Sequence, residues 1–132
     1  MLDVNVLIAA LLARDGAPAH LMMRWLAGDF ELIISDKLIS ELSRALSYAK
    51  VRARVSEADA SAFMQLIEAT ATKAVDPETP QRRSRDAGDD YLLALAASMA
   101  AVVVSGDRDL LELGGELPIY SPAEFHSKLD SE

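Results

Sequence analysis

The 132-residue chain has no cysteine, which excludes disulfides, thiolate metal sites and a cysteine nucleophile, and which sits comfortably in a reducing compartment. Histidine is nearly absent too. Only His20 and His126 occur, so a zinc or copper site built on imidazole is poorly supplied. Aromatic residues make up 5% of the chain, too few for a stacking platform that reads single-stranded bases. Bases are outnumbered 13 to 21 by acids, and the resulting charge of −8 excludes a broad basic surface gripping nucleic acid, while favouring a basic partner. No apolar run is long enough to span a bilayer: the richest, Leu92 to Val104, is interrupted by Ser98. No basic segment precedes an apolar stretch at Met1-Leu2-Asp3, so neither a signal peptide nor a membrane association is expected, and the expected location is cytoplasmic. Walker-type and dinucleotide-binding glycine fingerprints are missing as well, which removes nucleotide binding of those kinds.

What is present reads as alternating strands and helices. Leu2 to Ile8 begins as a strand and turns at once into an apolar helix through Leu12. Pro18 suits the first turn of a helix running to Leu26, with Gly28 as its stop. Trp25, Met22 and Met23 on that helix read as core or partner-facing packing. Glu31 to Ile34 reads as a short strand, and Ser35 caps a helix on which Leu38, Ile39, Leu42 and Leu46 recur at helical spacing. Lys50 to Arg54 reads as a basic connector. Ser56 and Asp59 open a helix to about Thr70 with Phe63, Leu66 and Ile67 on its apolar face. A short strand at Lys73 to Val75, a loop from Asp76 to Ala87, a helix from Asp89 to Ala100 and a buried strand from Ala101 to Ser105 follow. Gly106 to Asp109 turns into a short helix ending near Gly114-Gly115, Pro118 to Tyr120 forms a last strand, and Pro122 opens a final helix. The pattern predicts one α/β domain over residues 1–132, with a mainly parallel sheet covered by helices on both faces.

Open α/β sheets gather their functional groups at the carboxyl ends of strands. Asp3 ends the first strand, and Asp107 lies just beyond the Val102-Val103-Val104 strand. Asp89 and Asp90 open an apolar helix, and Glu41 stands one and a half turns into the helix that follows the Ile34 strand. Taken singly, most of these have ordinary explanations. Asp89 and Asp90 complement a helix dipole, Asp107 suits a turn, and Glu41 suits an exposed helix face. Asp3 is different, because it interrupts an apolar run, where a charge is costly. Two carboxylates about 4 Å apart repel by roughly 4 kcal/mol at an effective dielectric near 20. A converging set therefore calls for a cation or for shifted pKa values. All-oxygen ligands with little histidine favour Mg²⁺ or Mn²⁺, ions suited to phosphoryl chemistry, and one ion or two would satisfy the pattern.

Four segments together resemble the PIN-domain family, closest to the branch described as VapC-like toxins of toxin–antitoxin systems. They are Leu-Asp-Val-Asn-Val-Leu-Ile at 2–8, Ser-Asp-Lys-Leu-Ile-Ser-Glu-Leu at 35–42, Arg-Asp-Ala-Gly-Asp-Asp-Tyr-Leu at 85–92 and Val-Ser-Gly-Asp-Arg-Asp-Leu-Leu at 104–111. They occur in the family's order across nearly the whole chain. The resemblance implies a three-layer PIN-like (Rossmann-like) fold and an endoribonuclease that hydrolyses RNA phosphodiester bonds with Mg²⁺ or Mn²⁺. It implies metal-binding, catalytic acids at Asp3, Glu41, Asp89 and Asp107, with Asp3 and Asp89 as direct ligands. Asn5 would orient Asp3 or a water through its amide, Ser105 would bond a carboxylate or phosphate or cap the next turn, and Asp90 and Asp109 would support their neighbours. A cognate antitoxin and a homodimer are also implied. Two features depart from the family pattern: Val4 stands where a threonine is common, and only Met1 and Leu2 precede Asp3, so either the first strand is short or the natural start lies upstream of Met1.

Arg82, Arg83 and Arg85 lie beside the acidic helix and are candidates to hold an RNA backbone, or else a solvated loop; Lys50, Arg52 and Arg54 form a weaker second cluster. His20 and His126 read as incidental. Two other classes compete with the nuclease. One is a catalytically weak PIN-fold subunit that binds RNA or protein, against which the retention of all four acids argues. The other is a response-regulator receiver, which would need its acceptor Asp on a middle strand and a late lysine, whereas the late lysine here is Lys128.

Overall fold

The computed structural model describes residues 1–78 and 87–131. Its elements run in the order α1 (Val4–Leu12), α2 (Ala17–Leu26), β1 (Ile33–Ile34), α3 (Asp36–Leu46), α4 (Ala49–Arg52), α5 (Glu57–Thr70), β2 (Thr72–Lys73), α6 (Ala87–Ser98), β3 (Val103–Val104), α7 (Arg108–Leu111), β4 (Ile119–Tyr120) and α8 (Pro122–Asp130). Among the described residues, the strand pairings are parallel. β1 lies beside β2 with Ile33 opposite Thr72, and β3 lies beside β4 with Val103 opposite Ile119. Leu2 bridges Val104 from the other side of β3, where the Asp3 N–H donates to the Val104 carbonyl at 2.9 Å and the Val104 N–H to the Met1 carbonyl at 2.8 Å. The architecture is the α/β arrangement of parallel strands and helices that the alternation of elements predicts.

The ladders are shorter than the apolar runs that build them. Glu31, Val75 and Ala101 fall outside the paired segments, and Val75 is 88% exposed. Hydrophobicity marks where a chain can be buried, but pairing also needs a neighbour in register. Lys50 to Arg54 is not a plain connector, since Ala49–Arg52 forms the short helix α4. There Arg54 donates from Nη2 to the Leu12 carbonyl at 2.8 Å, closing the end of α1, and Arg52 approaches Glu57 at 4.0 Å. Leu66 is another correction: Phe63 and Ile67, one turn apart, are buried, while Leu66 lies on the flank and is 36% exposed.

Helix boundaries follow their chemistry closely. Ser35, Ser56 and Ser121 each accept a backbone N–H three residues on, and Glu124 completes a capping box with Ser121. Two helices end in paired 6→1 and 5→2 hydrogen bonds. After α2, Asp29 N–H reaches the Arg24 carbonyl and Gly28 N–H the Trp25 carbonyl; after α6, Ala101 N–H reaches Ala96 and Ala100 N–H reaches Ala97. This ending needs a left-handed residue. Gly28 supplies it at φ 87°, whereas Ala100 is held at φ 51°.

Leu21, Leu32, Leu42, Ile67, Leu95, Val104 and Leu110 lie fully inside the core, with Met22 and Trp25 also buried and Met23 facing outward. α2 packs against α1 and α8, α3 against α1 and α5, and α6 against β3. Arg24 pairs with Asp29 and, at 2.6 Å, with Asp130, tying the end of α2 to α8. Among the described residues no single helix is long and apolar enough to cross a membrane.

Candidate active site

The site is built from the ends of the parallel segments. Asp3 follows Leu2 on the edge of β3 and caps α1, with its carboxylate accepting the Asn5 backbone N–H at 3.4 Å. Ser105 directly follows β3 and is fully buried. Its hydroxyl donates to Asp3 Oδ2 at 2.8 Å and accepts the Asp107 N–H at 2.9 Å. Asp107 in turn caps α7, where its Oδ1 accepts the Asp109 N–H at 2.9 Å. One chain of hydrogen bonds thus runs from Asp3 through Ser105 to Asp107 and Asp109. Both roles weighed for the Ser105 hydroxyl, carboxylate partner and turn cap, are present at once. Asn5 differs from expectation: it meets Asp3 through its backbone N–H, and its side chain is exposed.

Burial pushes the Asp3 carboxyl above the ordinary carboxylate range; the Ser105 and Asn5 hydrogen bonds pull it back, and the charge of Asp107 pushes it up again. Glu41, half-buried on α3, is raised for the same first reason. Lys37 and Arg44 oppose that rise, while Asp3 and Asp76 add to it. Glu41 therefore shares an electrostatic neighbourhood with Asp3 although they are far apart in sequence. Asp89 and Asp90 occupy the first turn of α6, as read from the sequence. Asp90 is buried and Asp89 half-buried, and the Oδ2 atom of each is closed off from solvent.

Asp76 was hidden in the sequence among loop residues. Its Oδ2 accepts the Lys37 N–H at 3.1 Å at the start of α3, and its Oδ1 accepts the Tyr91 hydroxyl. Tyr91 also meets the Ser35 hydroxyl, and the Lys37 ammonium lies 3.9 Å from the centre of its ring. The signal that could have found Asp76 is the one that found Asp3: an acid just past a strand, here β2. Arg82, Arg83 and Arg85 lie outside the described residues. His20 and His126 contact one another, with ring centres 5.9 Å apart.

The donor set suits a hard divalent cation in kind. Its groups are carboxylates and a hydroxyl; beyond burial, the charge of Asp107 raises the pKa of Asp3, and the charges of Asp3 and Asp76 raise that of Glu41, a cost that a cation would relieve. Among the described residues, no three acids stand close enough to hold one ion together.

The family model described as PIN domain matches residues 1–109, a span that takes in Asp3, Glu41, Asp89 and Asp107. The chain belongs to the PIN-domain family. PIN domains are generally nucleases that bind RNA and typically use divalent metal ions. Among solved structures, this PIN domain is similar to PAE2754 from Pyrobaculum aerophilum, with a TM-score of 0.69 and 21% identity over 99% of this chain and 88% of that one. That likeness speaks to the fold. No curated protein matches the chain.

Proposed function

We propose that this PIN domain is a metal-dependent endoribonuclease hydrolysing RNA phosphodiester bonds, and that it serves as the toxin of a type II toxin–antitoxin pair. The observation that carries the reading is the Asp3–Ser105–Asp107 hydrogen-bond chain, set where Glu41 feels the charge of Asp3. Asp3, Glu41, Asp89 and Asp107 would hold Mg²⁺ or Mn²⁺, supported by Asn5, Asp90, Ser105 and Asp109. When bound, the ion polarises the phosphate and stabilises charge on the leaving oxygen.

The chain's own groups do the rest. Water adds to phosphorus, the bond to the leaving ester oxygen breaks, and that oxygen takes up a proton from solvent. Glu41 and Asp107 would bind the ion or position the attacking water, whose proton passes to solvent. Ser105 keeps the Asp3 carboxylate turned toward Asp107. Arg82, Arg83 and Arg85 would hold the RNA backbone on either side of the cut. We take residues 1–132 as one domain that works in the cytoplasm as a homodimer. Its antitoxin would be a basic segment, favoured by the net charge of −8.

Purified protein should cut labelled RNA with Mn²⁺ or Mg²⁺ and leave it intact with EDTA. Its expression should arrest bacterial growth, while the Asp89→Ala version should not. Cleavage that persists in EDTA overturns the metal dependence, and unimpeded growth alongside active enzyme overturns the toxin role. A second reading, a catalytically weak RNA- or protein-binding subunit, is favoured by the spacing of the described acids. RNA retained without being cut under either metal would select it.

A further inference from the structure

The hydroxyl network around Tyr91 has a fixed direction. Tyr91 has one hydroxyl hydrogen, and the carboxylate of Asp76 can only accept, so that hydrogen goes to Asp76 Oδ1. The Ser35 hydroxyl must therefore donate to the Tyr91 oxygen, at 2.5 Å, while its own oxygen accepts the Leu38 N–H at 3.3 Å. The other Asp76 oxygen accepts the Lys37 N–H at 3.1 Å. Four segments are thereby joined: the residue after β1, the first turn of α3, the chain past β2 and the second turn of α6. Ser35 is fully buried and Tyr91 is 3% exposed, so the bond between them is sheltered from competing water, while the Lys37–Asp76 arm reaches the surface.

The helices it joins are the two that carry Glu41 and the Asp89-Asp90 pair. Glu41 is one turn beyond Lys37 on α3, and Tyr91 directly follows Asp90 on α6. The Lys37 ammonium lies 3.9 Å from the centre of the Tyr91 ring, so the two helices also meet through this pair. We infer that Tyr91, with Asp76 and Ser35, is a positioning device that sets the spacing of the α6 acids from Glu41 and so tunes the affinity of the site for its divalent ion. This inference rests on the metal-dependent reading above. None of the three residues is assigned as a ligand. They act through the placement of α3 and α6, the helices that carry those acids.

The test compares direct Mn²⁺ binding, followed by the loss of the free-ion magnetic resonance signal, with RNA cleavage across a Mn²⁺ series. The proteins are wild type, Tyr91→Phe and a control, Ile67→Val, which trims the core in α5 away from the network. Tyr91→Phe keeps the ring and removes only the hydroxyl. Mn²⁺ binding should weaken at least ~10-fold in Tyr91→Phe, and the half-saturating Mn²⁺ for cleavage should rise to match, with cleavage recovering at high Mn²⁺. Ile67→Val should lower the melting temperature and leave Mn²⁺ affinity at the wild-type value. If Tyr91→Phe binds Mn²⁺ as wild type does, or if Ile67→Val weakens binding equally, the positioning role is overturned while the nuclease reading stands. If wild type itself neither binds Mn²⁺ nor cuts RNA, the underlying reading fails and takes this inference with it.

Discussion

Ser105 donates its hydroxyl hydrogen to Asp3 at 2.8 Å across 102 positions of sequence, and this bond joins the first turn of the molecule to the end of β3. Because the same oxygen accepts the Asp107 N–H, Ser105 sets how two acids face one another. Ser105→Ala leaves a small apolar methyl and removes both bonds. RNA cleavage should fall by ~10- to 100-fold, as for lost partners of metal-binding groups. The Ser105 bond lowers the Asp3 pKa, so its loss should also move the acid limb of the pH–rate profile to higher pH. An unmoved acid limb would count against the coupling of Ser105 to Asp3.

Asp3 should cost the fold stability at neutral pH. Burial raises its folded pKa above the unfolded value, so the native state holds the Asp3 proton more tightly. The stability from that proton is complete below the unfolded pKa, about 3.9, and is lost as pH rises through the higher folded value. At pH 7 the ionised carboxylate is a net burden. Asp3→Asn, neutral throughout, should therefore be more stable by about 1 kcal/mol near pH 7 without metal. The advantage should vanish as pH falls to about 4, where Asp3 itself is protonated. Thermal melts of both proteins in EDTA across this range check the sign.

Ala100 should respond to glycine in the direction opposite to most helix positions. It sits at φ 51° just past α6, in the place that Gly28 fills after α2. Side-chain crowding there costs about 1 kcal/mol, which glycine avoids. Ala100→Gly should raise stability by roughly that amount, or ~4 °C in melting temperature. Gly28→Ala should lower stability for the same reason. Denaturant melts of the two variants check both signs.

Where a residue's role is local, the sequence displays it. Ser35 and Ser56 announce helix starts because a hydroxyl reaches an N–H three residues away, and the Leu38–Leu42–Leu46 stripe announces a buried face. Asp3 is legible because a charge inside an apolar run needs a reason, and Asp107 because it follows a run of valines. Roles that depend on pairing between distant segments are not legible. Asp76 reaches Lys37 only because β2 lies parallel to β1, which brings residues past 73 beside residues past 34. Arg54 reads as one of three bases in a connector, yet it closes α1 at Leu12. The left-handed turn at Ala100 carries no glycine to mark it.

The most direct test of the account is single-turnover cleavage of labelled RNA under Mn²⁺ by wild type and Asp3→Asn, each first shown to be folded. The account predicts that Asp3→Asn cuts at least ~100-fold more slowly while melting at or above the wild-type temperature. A folded Asp3→Asn protein that cuts RNA at the wild-type rate would contradict it.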